Sequence, residues 1–393
     1  MVQLALFSTI AASIALVAAG PINGGSSNAT ATTSTNNATA TSNGILATSS
    51  PAYLPSFPFH GITPLSPVPT GPITKNSSFK TADYPEAWTQ PDVNHPEVQA
   101  AIKAINWTYV PKFKPRTEGM AYDDNKDEAC WWTNTQCTTP KAKYLPADVK
   151  YCPNVGDFGL TYDDGPLPPT SDHDPWAEPR LYDFLAGQNQ TATLFCKCIY
   201  AVEKKCNVPT CIFYLDVGSN VAAFPEAAVR ALESGHTICA HTWSHPQMTT
   251  LTNHEIVAQL YWNLRAIKEA AGVTPRCWRP PYGDVDDRVR AIAHQMGMST
   301  IIWDSDSFDW GLPSVANDFA GTYTQATVDG FFESWLKNYQ SGKDTHGHVV
   351  LEHETSNMTI VTTEKWLPKL KAAFNVKKVH DCAPQLPRPY WEA

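Results

Sequence analysis

From Asp157 onward, short apolar runs alternate with longer stretches whose apolar positions recur every three or four residues. Phe158 to Tyr162, Ala192 to Phe195, Thr237 to Ala240, Ser299 to Trp303 and Val349 to Leu351 have the length and composition of buried strands. Asn253 to Ala271 carries Ile256, Leu260, Leu264, Ile267 and Ala271 on one helical stripe. Thr252 and Glu255 have capping-box spacing before it, and Gly272 suits the stop after it. A second helix, Asp287 to Met296, presents Val289, Ile292 and Met296 and ends at Gly297; a shorter one spans His95 to Ala104. Strands alternating with helices predict an α/β fold with parallel strands, barrel or open sheet, since period alone does not choose.

The pattern upstream is different. Met1 to Ala19 reads as a secretory signal peptide, with an apolar run from Leu4 and small residues before Gly20. Residues 20–80 are rich in Ser, Thr, Asn, Ala and Pro with almost no charge, which predicts a disordered, glycosylated stalk. Residues 81–150 form an extension expected to pack on the main domain, 151–382 the domain itself, and 383–393 a tail. That tail lacks the apolar stretch of a GPI signal, and no other segment is apolar enough to cross a bilayer. Sequons begin at Asn28, Asn37, Asn76, Asn106, Asn189 and Asn357. The ten Cys then read as disulfide candidates, and the expected location is extracellular or in the cell wall. A formal charge of -9 argues against a nucleic-acid partner and is compatible with a neutral polysaccharide.

Four polar clusters, the last made of two segments, follow the predicted strands, where barrel active sites lie. In Thr161-Tyr162-Asp163-Asp164-Gly165-Pro166, two adjacent carboxylates need a cation or different roles, although Asp-Gly-Pro is also turn chemistry. In His241-Thr242-Trp243-Ser244-His245 the two His can meet one ion. With Asp164 they make a two-His, one-carboxylate set that leaves positions open for water and substrate. Arg279-Pro280-Pro281-Tyr282-Gly283 combines a rigid loop with an Arg able to orient a carboxylate. Asp306-Ser307-Phe308-Asp309-Trp310 and Leu351-Glu352-His353 offer an Asp–His pair, the makings of a general acid. Each cluster alone also has a purely structural reading.

Together and in this order, the five motifs resemble those of the NodB-homology polysaccharide deacetylases (carbohydrate esterase family 4), over about Asp157 to Phe374. Tyr162 stands where that family usually has Phe. The resemblance implies an irregular (β/α) barrel and, as substrate class, an N-acetylated polysaccharide, chitin first, hydrolysed to chitosan and acetate. It implies one divalent ion, Zn²⁺ or Co²⁺, on Asp164, His241 and His245, activating water and polarising the acetamide. Asp163, oriented by Arg279, is then the base, and the Tyr282 N–H helps hold the oxyanion. His353, paired with Asp306, is the acid, and Trp310 and Leu351 line the acetyl pocket. The alternatives are deacetylation of acetylxylan or partially deacetylated chitosan, or a non-catalytic chitin-binding wall protein. The chain is expected to be a monomer.

Against that family, Cys196 to Leu215 interrupts the run from Thr191-Ala192-Thr193-Leu194-Phe195 to Val217-Gly218-Ser219-Asn220. Its codons can be written with an intron start at Cys196-Lys197-Cys198 and an intron end at Leu215-Asp216. Excision would restore a single Tyr. The segment therefore reads as a translated, retained intron, or else as a Cys-rich loop. Without it six Cys remain, of which Cys152 and Cys382 bracket the domain and Cys130 and Cys137 can close a small loop.

Overall fold

The computed structural model describes residues 47, 49–59, 61–74, 79–117, 119–167, 178–196, 220–314 and 321–392. Among the described residues, eight parallel strands run β1 (Asp157–Asp163), β2 (Thr193–Cys196), β3 (Thr237–Ala240), β4 (Cys277–Trp278), β5 (Ser299–Thr300), β6 (Ser305–Asp306), β7 (His348–His353) and β8 (Asn375–Lys377). Their order is β5-β4-β3-β2-β1-β7-β6, and β8 pairs with β1 at Asp157 to Gly159. Helices Arg180–Gly187, Pro225–Glu233, Asn253–Ala271, Asp287–Gln295, Gln325–Gln340 and Asn357–Ala373 fall between successive strands or strand pairs. The result is the expected irregular (β/α) barrel.

Alternation within the strands decides which residues reach the inside. Phe158, Leu160, Tyr162, Leu194, Ile238, Trp278 and Val350 pack outward against the helices in one large core. Phe195, Cys239, Cys277 and Val349 form a second, smaller core within the barrel. Thr161, Asp163, His241, Arg279, Leu351 and His353 have the parity of that inner set. A period of two therefore carries the chemistry inward, and strand ends carry it to one rim.

The helix Asn253–Ala271 keeps its capping box, with the Glu255 N–H donating to Thr252 Oγ1 at 3.3 Å and the Thr252 N–H to Glu255 Oε2 at 2.7 Å. Gly272 (φ 73°) terminates it in the left-handed region. Beneath it, Val98, Ala101 and Ile102 of the extension helix Pro96–Ala104 are buried. Disulfides join Cys130 to Cys137, Cys152 to Cys382 and Cys239 to Cys277. The last ties β3 to β4 and was not deducible from spacing.

Two expectations change. The second half of the expected stalk packs on the barrel: Leu54 is buried, the Leu65 N–H donates to Glu233 O at 2.8 Å, and the Gly71 N–H reaches Asp183 Oδ2 at 2.9 Å. Its prolines pre-set an extended backbone, so ordering it costs less than its polar composition suggests. The tail is also a strap. The Tyr390 hydroxyl accepts the Ile238 N–H at 2.7 Å, and Glu392 Oε2 accepts the Thr274 N–H at 2.7 Å. The signal peptide, the first half of the stalk, Asn28, Asn37, Asn76 and residues 197–219 lie outside the described residues. Asn106, Asn189 and Asn357 are exposed. Among the described residues, no helix is long and apolar enough to cross a membrane.

Candidate active site

Asp163, Asp164, His241, His245, Arg279, Tyr282, Asp306, Trp310 and His353 lie at or shortly beyond a strand's C-terminal end, and Leu351 lies two residues before the end of β7. Asp163 closes β1 and Asp164 follows it in the left-handed region (φ 78°), and a carboxylate oxygen of each lies near His241 Nε2, at 3.7 and 3.6 Å. Gly165 is required there, because a Cβ would collide with the buried Glu354 side chain. Asn220 donates its side-chain amide to the Asp164 carbonyl. Asp163 and His353 are register partners across β1 and β7, so a carboxylate and an imidazole are set side by side by strand pairing alone.

Arg279 crosses the barrel from the end of β4. Its Nη1 donates to Asp163 Oδ1 at 2.6 Å and to Thr161 Oγ1 at 2.7 Å. The guanidinium is fully buried, lies 3.9 Å from the Phe195 ring centroid, and donates to Ile302 O at 3.3 Å. Burial lowers its pKa, and the Asp163 carboxylate opposes that shift. One charge thus compensates another in a site water barely reaches, and the Asp163 carboxylate is fixed in direction.

The His241 Nδ1 lies 2.8 Å from the Arg279 carbonyl and must donate to it, which leaves the Nε2 lone pair directed at Asp164. Asp164 Oδ1 is 3.6 Å from His241 Nε2 and 3.5 Å from His245 Nε2. Two ligands about 2.1 Å from a tetrahedral ion lie about 3.4 Å apart, so these separations fit three ligands around one ion. One donor atom from each residue lies within 4.8 Å of the others. The turn carrying both His is braced from the helix Asn253–Ala271. Asn263 Oδ1 accepts the His241 N–H, and Gln259 Oε1 accepts those of Trp243 and Ser244, at 2.9, 3.0 and 2.9 Å.

The expected partner of His353 is a correction. His353 Nδ1 pairs with Asp309 Oδ1 at 2.7 Å, not with Asp306, and its backbone N–H donates to Asp309 Oδ2 at 2.8 Å. After β6, Phe308 turns through the left-handed region (φ 55°) and folds Asp309 back beneath β7. Asp306 instead accepts the Phe308 N–H at 2.7 Å and lines the cavity. Burial would lower the His353 pKa, but Asp309, Asp164 and Asp163 together raise it to about 9. Burial raises Asp306 to about 6.

Tyr282 (φ 58°) and Gly283 (φ 67°) are both left-handed. The turn bonds run from the Gly283 N–H to Pro280 O and from the Asp284 N–H to Pro281 O, so the Tyr282 N–H lies outside both. Gly283 is needed because Trp132 packs where a Cβ would sit. Asp163, Asp164, His241, His245, Tyr282, Asp306, Trp310, Leu351 and His353 all line one cavity of about 580 Å³, together with Trp88, Trp132 and Trp303. Sequence reasoning missed Asp309, Thr161, Gln259, Asn263 and these three Trp. Asp309 was the one with a signal, a second acid within its own motif.

A parallel barrel whose strand ends hold a candidate metal-binding triad, a carboxylate–Arg pair and an Asp–His pair defines the class, a (β/α)-barrel hydrolase. Residues 150–301 match the family model described as polysaccharide deacetylase. The chitin deacetylase of Amylomyces rouxii is 36% identical over 330 residues, 80% of this chain and 69% of that one. Chitin deacetylase 2 of Cryptococcus neoformans var. grubii is 38% identical over 327 residues, 79% of this chain and 64% of that one. The solved chitin deacetylase of Colletotrichum lindemuthianum overlaps with a TM-score of 0.49 at 22% identity, covering 63% of this chain and 96% of that one. The chain belongs to the polysaccharide deacetylase family and is one of its enzymes.

Proposed function

We propose that this protein removes N-acetyl groups from chitin or chito-oligosaccharides, outside the cell, giving chitosan and acetate. The observation that carries the reading is the register pairing of Asp163 with His353 beside the Asp164, His241 and His245 cluster. A divalent ion held by those three residues, Zn²⁺ or Co²⁺, would supply Lewis-acid polarisation of the acetamide and a more acidic water. Asp163, held by Arg279, takes the proton of the attacking water as its oxygen bonds to the carbonyl carbon. The Tyr282 N–H donates to the developing oxyanion. His353, protonated at neutral pH through Asp309, gives its proton to the departing amine as the C–N bond breaks. Trp310 and Leu351 form the wall against which the acetyl methyl rests. Two relatives bearing the chitin deacetylase name support the substrate class.

The test is acetate release from chito-oligosaccharides, partially deacetylated chitosan and acetylxylan, assayed side by side before and after chelation. Release from the chito-oligosaccharides, lost on chelation and restored by Zn²⁺ or Co²⁺, is the expected result. Preference for acetylxylan would move the substrate, and activity surviving verified metal removal would remove the metal from the reaction.

A further inference from the structure

Trp88 lies in the extension, outside the residues that match the family model, yet it lines the same cavity as the metal cluster. It is 38% exposed, and the other strongly exposed aromatic residues of that cavity are Tyr282 at 58% and Trp310 at 46%. Trp88, Tyr282 and Trp310 present aromatic surface to the cavity, which suits a ligand that is flat and apolar on its faces. The pyranose rings of an uncharged N-acetylated polysaccharide are such a ligand.

The loop is bolted in place on both sides of this residue. The Trp243 Nε1–H donates to Glu86 O at 3.4 Å, and Gln259 Nε2 donates to Gln90 Oε1 at 3.0 Å. Gln259 is the residue that also braces the turn between His241 and His245. Trp88 itself has φ 58°, a left-handed conformation that a bulky residue keeps only when its surroundings over-determine it. Two anchors and a strained backbone hold one half-open indole at the rim. Folding alone would be served as well by a turned-in side chain.

We propose that Trp88 is a substrate-binding residue, a stacking platform for a sugar unit flanking the one being deacetylated. The extension then completes the substrate groove. This rests on the deacetylase reading above. The experiment compares wild type, Trp88→Ala and Trp88→Tyr on N-acetylglucosamine oligomers of two to six units, with thermal melting alongside. Trp88→Ala should raise KM for the longer oligomers about three- to tenfold, the scale of one lost aromatic contact. It should leave kcat within about twofold, because the reacting atoms are untouched. Melting should not move, and Trp88→Tyr should restore KM. Equal KM values at every length would overturn the proposal, as would a rise that Tyr fails to rescue and that accompanies lower melting. Acetate release by neither wild type nor variant would overturn the deacetylase reading and this inference with it, whereas release by both with equal KM would overturn Trp88 alone.

Discussion

Asp306 and Asp309 stand three residues apart, and the left-handed Phe308 between them decides which one reaches His353. The consequence is measurable. As the proposed general acid, His353 can act only while it carries a proton, so turnover should be lost as pH rises through its pKa. Asp309 is the largest of the charges that raise that pKa. A bound cation would add repulsion, placing the basic limb of the kcat profile at or below about pH 9. Asp309→Asn removes the charge and keeps the size, so the His353 pKa falls and the basic limb moves to lower pH. At neutral pH, kcat should drop by about one to two orders of magnitude, within the range of general-acid effects. Asp306→Asn should leave the basic limb in place. A shift on Asp306→Asn and none on Asp309→Asn, read from kcat against pH, would return the orienting role to Asp306.

At the scale of elements, legibility followed length and period. The helix Asn253–Ala271 was readable to both ends because its cap and its stop are local chemistry. Its buried Gln259 and Asn263 were not, since a polar residue satisfied by another segment's backbone looks like a solvent face in one dimension. β4 and β6 have two residues each, too few to show a period, yet they aim Arg279 and Asp306. Motif recognition located those two residues where pattern reading failed. The interruption after Phe195 belongs to this scale too. Residue 196 pairs with Ala240, and its carbonyl accepts from Asn263 Nδ2 at 3.1 Å, both through backbone. These strand bonds therefore do not depend on the side chain at 196, which is buried in the larger core. Replacing Cys196 to Asp216 by one Tyr should give a protein that folds, retains the metal and deacetylates at least as well. The shorter connection closes at lower entropic cost, a gain on the order of 1 kcal/mol in denaturant unfolding. Lower stability, or loss of activity, would show that the segment is a genuine part of the enzyme.

For the whole molecule, the two ends of the barrel have separate duties. Asp163, Asp164, His241, Arg279 and His353 occupy the C-terminal strand ends. The Cys152–Cys382 disulfide lies at the other, with the Gly347 N–H, just before β7, donating to the Cys152 carbonyl at 2.8 Å. That bridge spans 230 residues and ties the entry to β1 to the short helix Val379–Cys382 after β8. Closing so long a loop restricts the unfolded chain more than a short bridge such as Cys130–Cys137 does. Cys152→Ala/Cys382→Ala should therefore lower unfolding stability by about 2–5 kcal/mol, part of it from the vacated space among Val349 and Val379. The same variant, assayed well below its melting temperature, should keep kcat/KM close to the wild-type value, because no catalytic side chain touches the bridge. Chemical unfolding and acetate-release kinetics on one preparation measure both quantities. Undiminished stability would mean that packing at the barrel floor, not the bridge, holds its ends together. A fall in kcat/KM without a fall in stability would mean that the two ends are coupled through the strands themselves.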